Sequence, residues 1–181
     1  FAVQGGLPVS HESGLYAGVW GSSIDEYVAA ASDQEIDLIA GFKKNLGGAT
    51  IDVGVIYYYY PGAEQIVPGY ASDFFEPYVS VSGALGPVTA KLSAAYAPKQ
   101  SALSIGAGKE DNLYTALDLS AGVPNTPLSL SAHLGHSFGP SYLTIGDEYT
   151  DWSIGATYTY KALTFGVSYV DIDKSFFAPI S

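Results

Sequence analysis

The sequence predicts an all-β protein: one domain over residues 1–181, folded as an antiparallel, up-and-down transmembrane β-barrel. Three observations predict it. Segment after segment alternates apolar with polar residues, the period of a strand, and no useful length carries the 3.6-residue stripe of a helix. Short connectors alternate with long ones, the outer-membrane pattern of tight periplasmic turns and longer outer loops. Charged residues are only 14%, with Tyr 15 and Gly 21, which suits a barrel wall better than a soluble surface.

Ten strands are predicted, at 3–10, 15–22, 35–44, 49–60, 75–85, 88–97, 113–123, 128–138, 151–161 and 162–172. Each is near the ~9–11 residues that a tilted strand needs to cross a bilayer. The short connectors are 11–14, 45–48, 86–87, 124–127 and the corner at Lys161-Ala162. The long ones, at 23–34, 61–74, 98–112 and 139–150, are rich in Gly, Pro, Ser, Asp and Glu.

In the first hairpin either Tyr16, Gly18 and Trp20 or Leu15, Ala17 and Val19 face outward. The fourth strand reads more clearly. Ile51, Val53, Val55, Tyr57 and Tyr59 suit hydrocarbon and its boundary, while Asp52, Gly54, Ile56, Tyr58 and Tyr60 share the opposite face. Ile51 then lies near the periplasmic turn and Tyr60 at the outer rim. A buried Val53 with an outward Asp52 would turn this reading inside out.

Hairpin registers test the faces, because turn length fixes which residues oppose each other. A four-residue loop at 45–48 sets Phe42, Ala40, Leu38 and Ile36 against Ile51, Val53, Val55 and Tyr57. The Gly86-Pro87 turn sets Leu85, Gly83, Val81 and Val79 against Val88, Ala90, Leu92 and Ala94. The Lys161-Ala162 corner sets Tyr160, Tyr158, Ala156 and Ile154 against Leu163, Phe165, Val167 and Tyr169. In all three, apolar meets apolar.

The other faces carry Glu35, Asp37, Lys43, Asp52, Glu76, Lys91, Asp118, His133 and Lys161 among serines and threonines. A packed core would tolerate that face only with every group paired. A wet or ion-paired lumen accepts it, so these nine residues are expected to line a lumen and the apolar residues to face lipid. An aromatic girdle at the lipid boundary is expected from Trp20, Tyr57, Tyr59, Tyr96, Trp152, Tyr158, Tyr160, Phe165 and Tyr169. That girdle also accounts for the Tyr57–Tyr60 run without a stacked ligand.

The remaining candidate chemistry is thin. An Asn125-Thr126 turn sets Asp118 opposite His133 with Ser131 on the same face, a set that invites a hydrolase reading. Serine is plentiful and no oxyanion loop is recognisable, so a lumen ion pair is the expected role and no catalytic residue is assigned. His133 and His136, three apart in a strand, point to opposite faces and do not make a metal pair. The acidic clusters Asp25-Glu26, Glu110-Asp111 and Asp147-Glu148 lack the spacing of a calcium loop. Glycine-rich 106–108 lacks the strand-to-helix context of a phosphate loop. No metal or cofactor is expected.

Seven Lys without Arg, and a formal charge of −11, exclude nucleic acid as a partner. Absence of Cys rules out disulfides, thiolate metal sites and Cys nucleophiles. No run of 18 apolar residues exists to make a transmembrane helix, and Phe1 opens no signal peptide. Without a methionine, the chain is expected to be a processed product or a piece of something longer.

Residues 10–22, reading Ser10-His11-Glu12-Ser13-Gly14-Leu15-Tyr16-Ala17-Gly18-Val19-Trp20-Gly21-Ser22, resemble the TorF family. These are small Gram-negative outer-membrane proteins called porins mainly by shape. Similar segments follow at 52–62, at Tyr149-Thr150-Asp151-Trp152 and at 166–171, so the resemblance covers nearly the whole chain. It implies a secreted barrel and carries over no catalytic or binding residue. Members usually have a further strand at each end that this chain lacks.

Strand parity leads to the same expectation. Both ends of the ten-strand set fall on the long-loop side, whereas bacterial barrels place both termini at the short turns, so one more strand at each end would give about twelve. The tail at 175–180, with Phe176 and Phe177, is the expected start of the last. The function expected is passive diffusion of small solutes or cations through a narrow polar lumen in the bacterial outer membrane, partly blocked where Lys43, Lys91 and Lys161 pair with carboxylates. Expected partners are membrane lipid and lipopolysaccharide, the solutes themselves, and further copies of the chain. The alternatives are a structural or assembly protein with a side-chain-filled lumen, and the hydrolase of Ser131, His133 and Asp118.

Overall fold

The alternating segments pair with their neighbours in sequence. A computed structural model describes residues 2–25, 32–63, 72–106 and 108–174; Glu26 and the tail at 175–180 lie outside them. The strands are β1 (Gln4–Ser10), β2 (Leu15–Ser23), β3 (Gln34–Asn45), β4 (Ala49–Tyr59), β5 (Phe74–Leu85), β6 (Val88–Ile105), β7 (Gly108–Gly122), β8 (Leu128–Phe138), β9 (Tyr149–Tyr160) and β10 (Leu163–Ile172), with a 3-10 turn at Tyr142–Thr144. They form one antiparallel up-and-down sheet in chain order. Where a closed ring is expected, the described sheet is open, with β1 and β10 as its edges.

The faces divide as the alternation requires. The Asp52 side chain is 17% exposed, whereas Val53 is 42% exposed. Leu92, Leu134, Phe165 and Val167 likewise turn outward. The polar face is concave. Hydroxyls of Tyr16 on β2 and Tyr78 on β5 touch across three strand spacings of ~4.8 Å, which requires the sheet to curl toward them. The same contact settles β2, whose Tyr16 must point inward, leaving Leu15, Ala17 and Val19 outward.

Two connections differ from expectation. Leu46 N–H donates to the Ala49 carbonyl at 2.8 Å, closing a two-residue turn on Gly47-Gly48 in place of a four-residue loop. Phe42 therefore opposes Val53 and Ala40 opposes Val55. The slip is two residues, so the faces keep their sense. The β6–β7 connection is not a long loop. Both strands continue past Pro98 with register shifts between Ala97 and Ile105, because bulges accommodate a residue without an N–H. This extension folds inward at the long-loop end. Phe74, Ala97, Ala102 and Leu103 form a small core there against Tyr58, Tyr60 and Leu143.

The two edges are unlike. Bonds from His11 to Leu15 and from Ser23 to Val3 mark the odd residues of β1 as those facing β2, so Pro8 presents its missing N–H to the open side. On β10 the bond from Asp173 to Thr150 leaves the backbone groups of Thr164, Gly166, Ser168 and Val170 facing the open side, without a proline among them.

Candidate functional site

Three groups of side chains converge on the concave face. In the first, Tyr16 donates to Asp52 Oδ1 at 2.5 Å and touches the Tyr78 hydroxyl, while Lys43 Nζ lies 3.2 Å from Asp52 Oδ2 and 5.9 Å from the centre of the Tyr16 ring. Glycines make the room. Gly41 opposes both Tyr16 and Gly54, and Gly54 opposes Tyr78. A Cβ on Gly54 would stand 2.6 Å from the Tyr78 ring. The rings therefore lie along the concave face, over neighbouring strands.

The second group spans β7 to β9. His133 Nδ1 is 2.6 Å from Asp118 Oδ1, and its Nε2 is 3.0 Å from Asp151 Oδ1 and 3.0 Å from the Tyr114 hydroxyl. Tyr114 also donates to Asp151 Oδ2 at 3.0 Å, over Gly135, where a Cβ would come within 2.7 Å of that carboxylate. Ser131 shares the face but opposes Ser120, and the hydrogen-bond partners of His133 among the described residues are Asp118, Asp151 and Tyr114. Replacing His133 with Ala would leave two carboxylates facing each other without a shared donor. The expected loss is ~1.5–3 kcal/mol, the scale of hydrogen bonds to charged groups, read as a lower urea midpoint of vesicle-folded protein.

The third group, at the long-loop end, is acidic. Tyr60 donates to Glu35 Oε2 at 2.6 Å, Tyr58 donates to Glu76 Oε1 at 3.4 Å, and Tyr58 stacks on Phe74 with centroids 4.4 Å apart. Asp37 Oδ1 is buried and has no hydrogen-bond partner among the described residues. Among the described residues, no lysine forms an ion pair with Glu35, Asp37 or Glu76. The concave face is thus segregated, with unbalanced carboxylates at the long-loop end and mixed charge nearer the short turns.

Eight of the nine residues expected on the polar face lie there. Lys161 does not: it occupies the β9–β10 turn at φ 54° with Nζ 5.4 Å from the centre of the Tyr160 ring, because a two-residue hairpin turn takes a positive φ at its first position. Lys43 pairs with a carboxylate as expected, whereas Lys91 pairs with none among the described residues. Tyr16, Tyr78, Tyr114 and Asp151 join the site unforeseen. Parity with Ser153 could have placed Asp151; the tyrosines' shared bonds needed the curvature.

Eight of the nine aromatic residues expected in a girdle lie on the convex face, at two levels. Tyr57, Tyr59, Tyr96, Trp152 and Tyr169 lie toward the long loops, and Tyr158, Tyr160 and Phe165 toward the short turns, all exposed. Trp20 is the exception, on the concave side opposite Asp37, since Tyr16 fixes the parity of β2. At the upper level Tyr57, Tyr96 and Tyr169 donate to Asp73, Asp111 and Asp171 at 3.1, 2.7 and 2.9 Å. Above it, the Lys174 ammonium, helped by the Glu148 backbone N–H, holds the Asp147 carboxyl below its ordinary value.

The sequence profile of a family described as "Bacterial protein of unknown function" (Gcw_chp) matches residues 1–178. The chain belongs to that family. No curated protein matches this Gcw_chp member. Among solved structures it is similar to a porin refined at 1.8 Å, with a TM-score of 0.50 and 15% identity over 95% of this chain. The Gcw_chp chain spans 56% of the porin's length. At that identity the likeness is one of fold, a porin-like antiparallel wall.

Proposed function

We propose that the protein is a wall of an outer-membrane porin-like barrel that passes small solutes, with cations favoured over anions. The observation that carries this reading is the concave face. Tyr16, Tyr78 and Tyr114 lie over Gly41, Gly54 and Gly135, and the long-loop end holds Glu35, Asp37 and Glu76 with no counter-cation among the described residues. Carboxylates in a confined, partly desolvated passage raise the local concentration of cations. The resemblance to TorF proteins and the porin-like fold support the same placement, with lipid and lipopolysaccharide against the two aromatic levels.

In hydrocarbon every unpaired backbone group costs several kcal/mol, so both sheet edges are paired in the membrane. The test is a planar-bilayer recording of the complete refolded protein in a salt gradient. A reversal potential on the cation side is expected. Glu35→Gln with Glu76→Gln should lower the cation-to-anion permeability ratio about two- to fivefold, the effect of losing ~0.4–1 kcal/mol of partly screened attraction. A second reading has its own observation, the Leu103 cluster turned into the long-loop end. If that cluster closes the passage, the protein is an outer-membrane anchor or assembly partner for its own copies, and the recording shows no conductance.

A further inference from the structure

Register assembles a second site nearer the short turns. One rung across β5 to β9 reads Ser82, Lys91, Asp118, His133, Ser153, and the adjacent rung reads Thr89, Ser120, Ser131. Together these residues line an open hollow of about 540 Å³ on the concave face. Lys91 and Asp118 are direct cross-strand neighbours, yet they form no ion pair. Asp118 turns one oxygen, Oδ1, to His133 at 2.6 Å and keeps a side chain that is 44% exposed. Lys91 is exposed and has no carboxylate partner among the described residues. The hollow therefore presents one free ammonium and one free carboxylate oxygen side by side, surrounded by hydroxyls.

We propose that this hollow binds small zwitterions of the α-amino-acid type. Cross-strand neighbours stand ~4.5–5.5 Å apart at Cα, so their ends meet a ligand whose own charges are separated by a few ångströms. The solute's carboxylate lies on Lys91 and its ammonium on Asp118, with the serine and threonine hydroxyls taking its remaining polar groups. A simple anion is disfavoured by Asp118, and a simple cation by Lys91. A zwitterion meets neither repulsion.

This inference rests on the lumen reading only for solvent access, so binding and conduction are measured separately. The complete protein, refolded in detergent, is titrated with L-serine by saturation-transfer NMR, alongside N-acetylserine as the anion and ethanolamine as the cation. L-Serine should bind in the millimolar range and at least about tenfold more tightly than either single-charge probe. Lys91→Gln and Asp118→Asn should each weaken it about tenfold, while Lys44→Gln, away from the hollow, leaves it unchanged. A circular-dichroism melt confirms that each variant is folded. Equal binding of N-acetylserine, or retention of serine binding in folded Lys91→Gln, overturns the proposal. Serine binding without conductance would leave this site standing and remove passage; conductance without serine binding does the reverse.

Discussion

Val55→Arg should cost ~2–4 kcal/mol of folding free energy in lipid vesicles, whereas Ile56→Arg, one residue away, should cost less than half as much. Val55 lies near the middle of β4 and faces outward, opposite Ala40 and Pro77, so in the proposed membrane placement an arginine there enters the hydrocarbon near its midplane, where such substitutions are most costly. Ile56 faces the other way, opposite Glu76, and an arginine in its place gains water and a carboxylate. The comparison keeps strand, depth and side chain constant and changes only the face. It is read from urea titrations of vesicle-folded protein, with the heat-modifiable band shift on gels as a second measure of the folded fraction. Equal losses at both positions would mean that the apolar face is not in lipid, and a larger loss at Ile56 would reverse the barrel.

The parity of most strands was legible because a period of two is local: β4 declares its faces in ten residues without reference to any partner. Registers were legible where a tight turn fixed them, as at Gly86-Pro87, with Gly86 at φ 64°. They slipped at Gly47-Gly48, where two glycines let the chain reverse sooner than a four-residue loop would. The stretch 98–112 read as a loop because Pro98 interrupts a ladder, yet flanking bulges let both strands continue. The site was legible one strand pair at a time. Asp118 opposite His133 follows from one turn, but Asp151 arrives through β9, across the long connector at 139–148, whose length sets no register. Tyr16 and Tyr78 are 62 residues apart, and only the curl of the sheet brings their hydroxyls together. Lys91 was placed on the correct face, but parity alone does not tell that Asp118 bonds His133 on one side and not Lys91 on the other.

Gly54→Val on the concave face should cost ~2–3 kcal/mol in the same vesicle titration. Two obstacles meet any Cβ at this position: the Tyr78 ring at 2.6 Å and the Ala40 carbonyl oxygen at 2.7 Å. The ring can swing aside, but then it leaves Tyr16, one support of Asp52. The carbonyl belongs to the β3–β4 ladder and moves only with the backbone, so overpacking of ~1–3 kcal/mol is added to the lost contacts. Gly54→Ala should do less harm than Val. Combining it with Tyr78→Leu should recover only the part due to the ring, because Ala40 remains in the way. Gly48→Ala serves as the control, since nothing lies within 4 Å of its Cβ, and its midpoint should not move. A Tyr78 ring displaced from the wall must point into the passage, so single-channel conductance should fall in Gly54→Ala and return with Tyr78→Leu. If Gly54→Ala leaves both stability and conductance at wild-type values, the tyrosines do not lie flat over the glycines, and the open passage loses its structural basis.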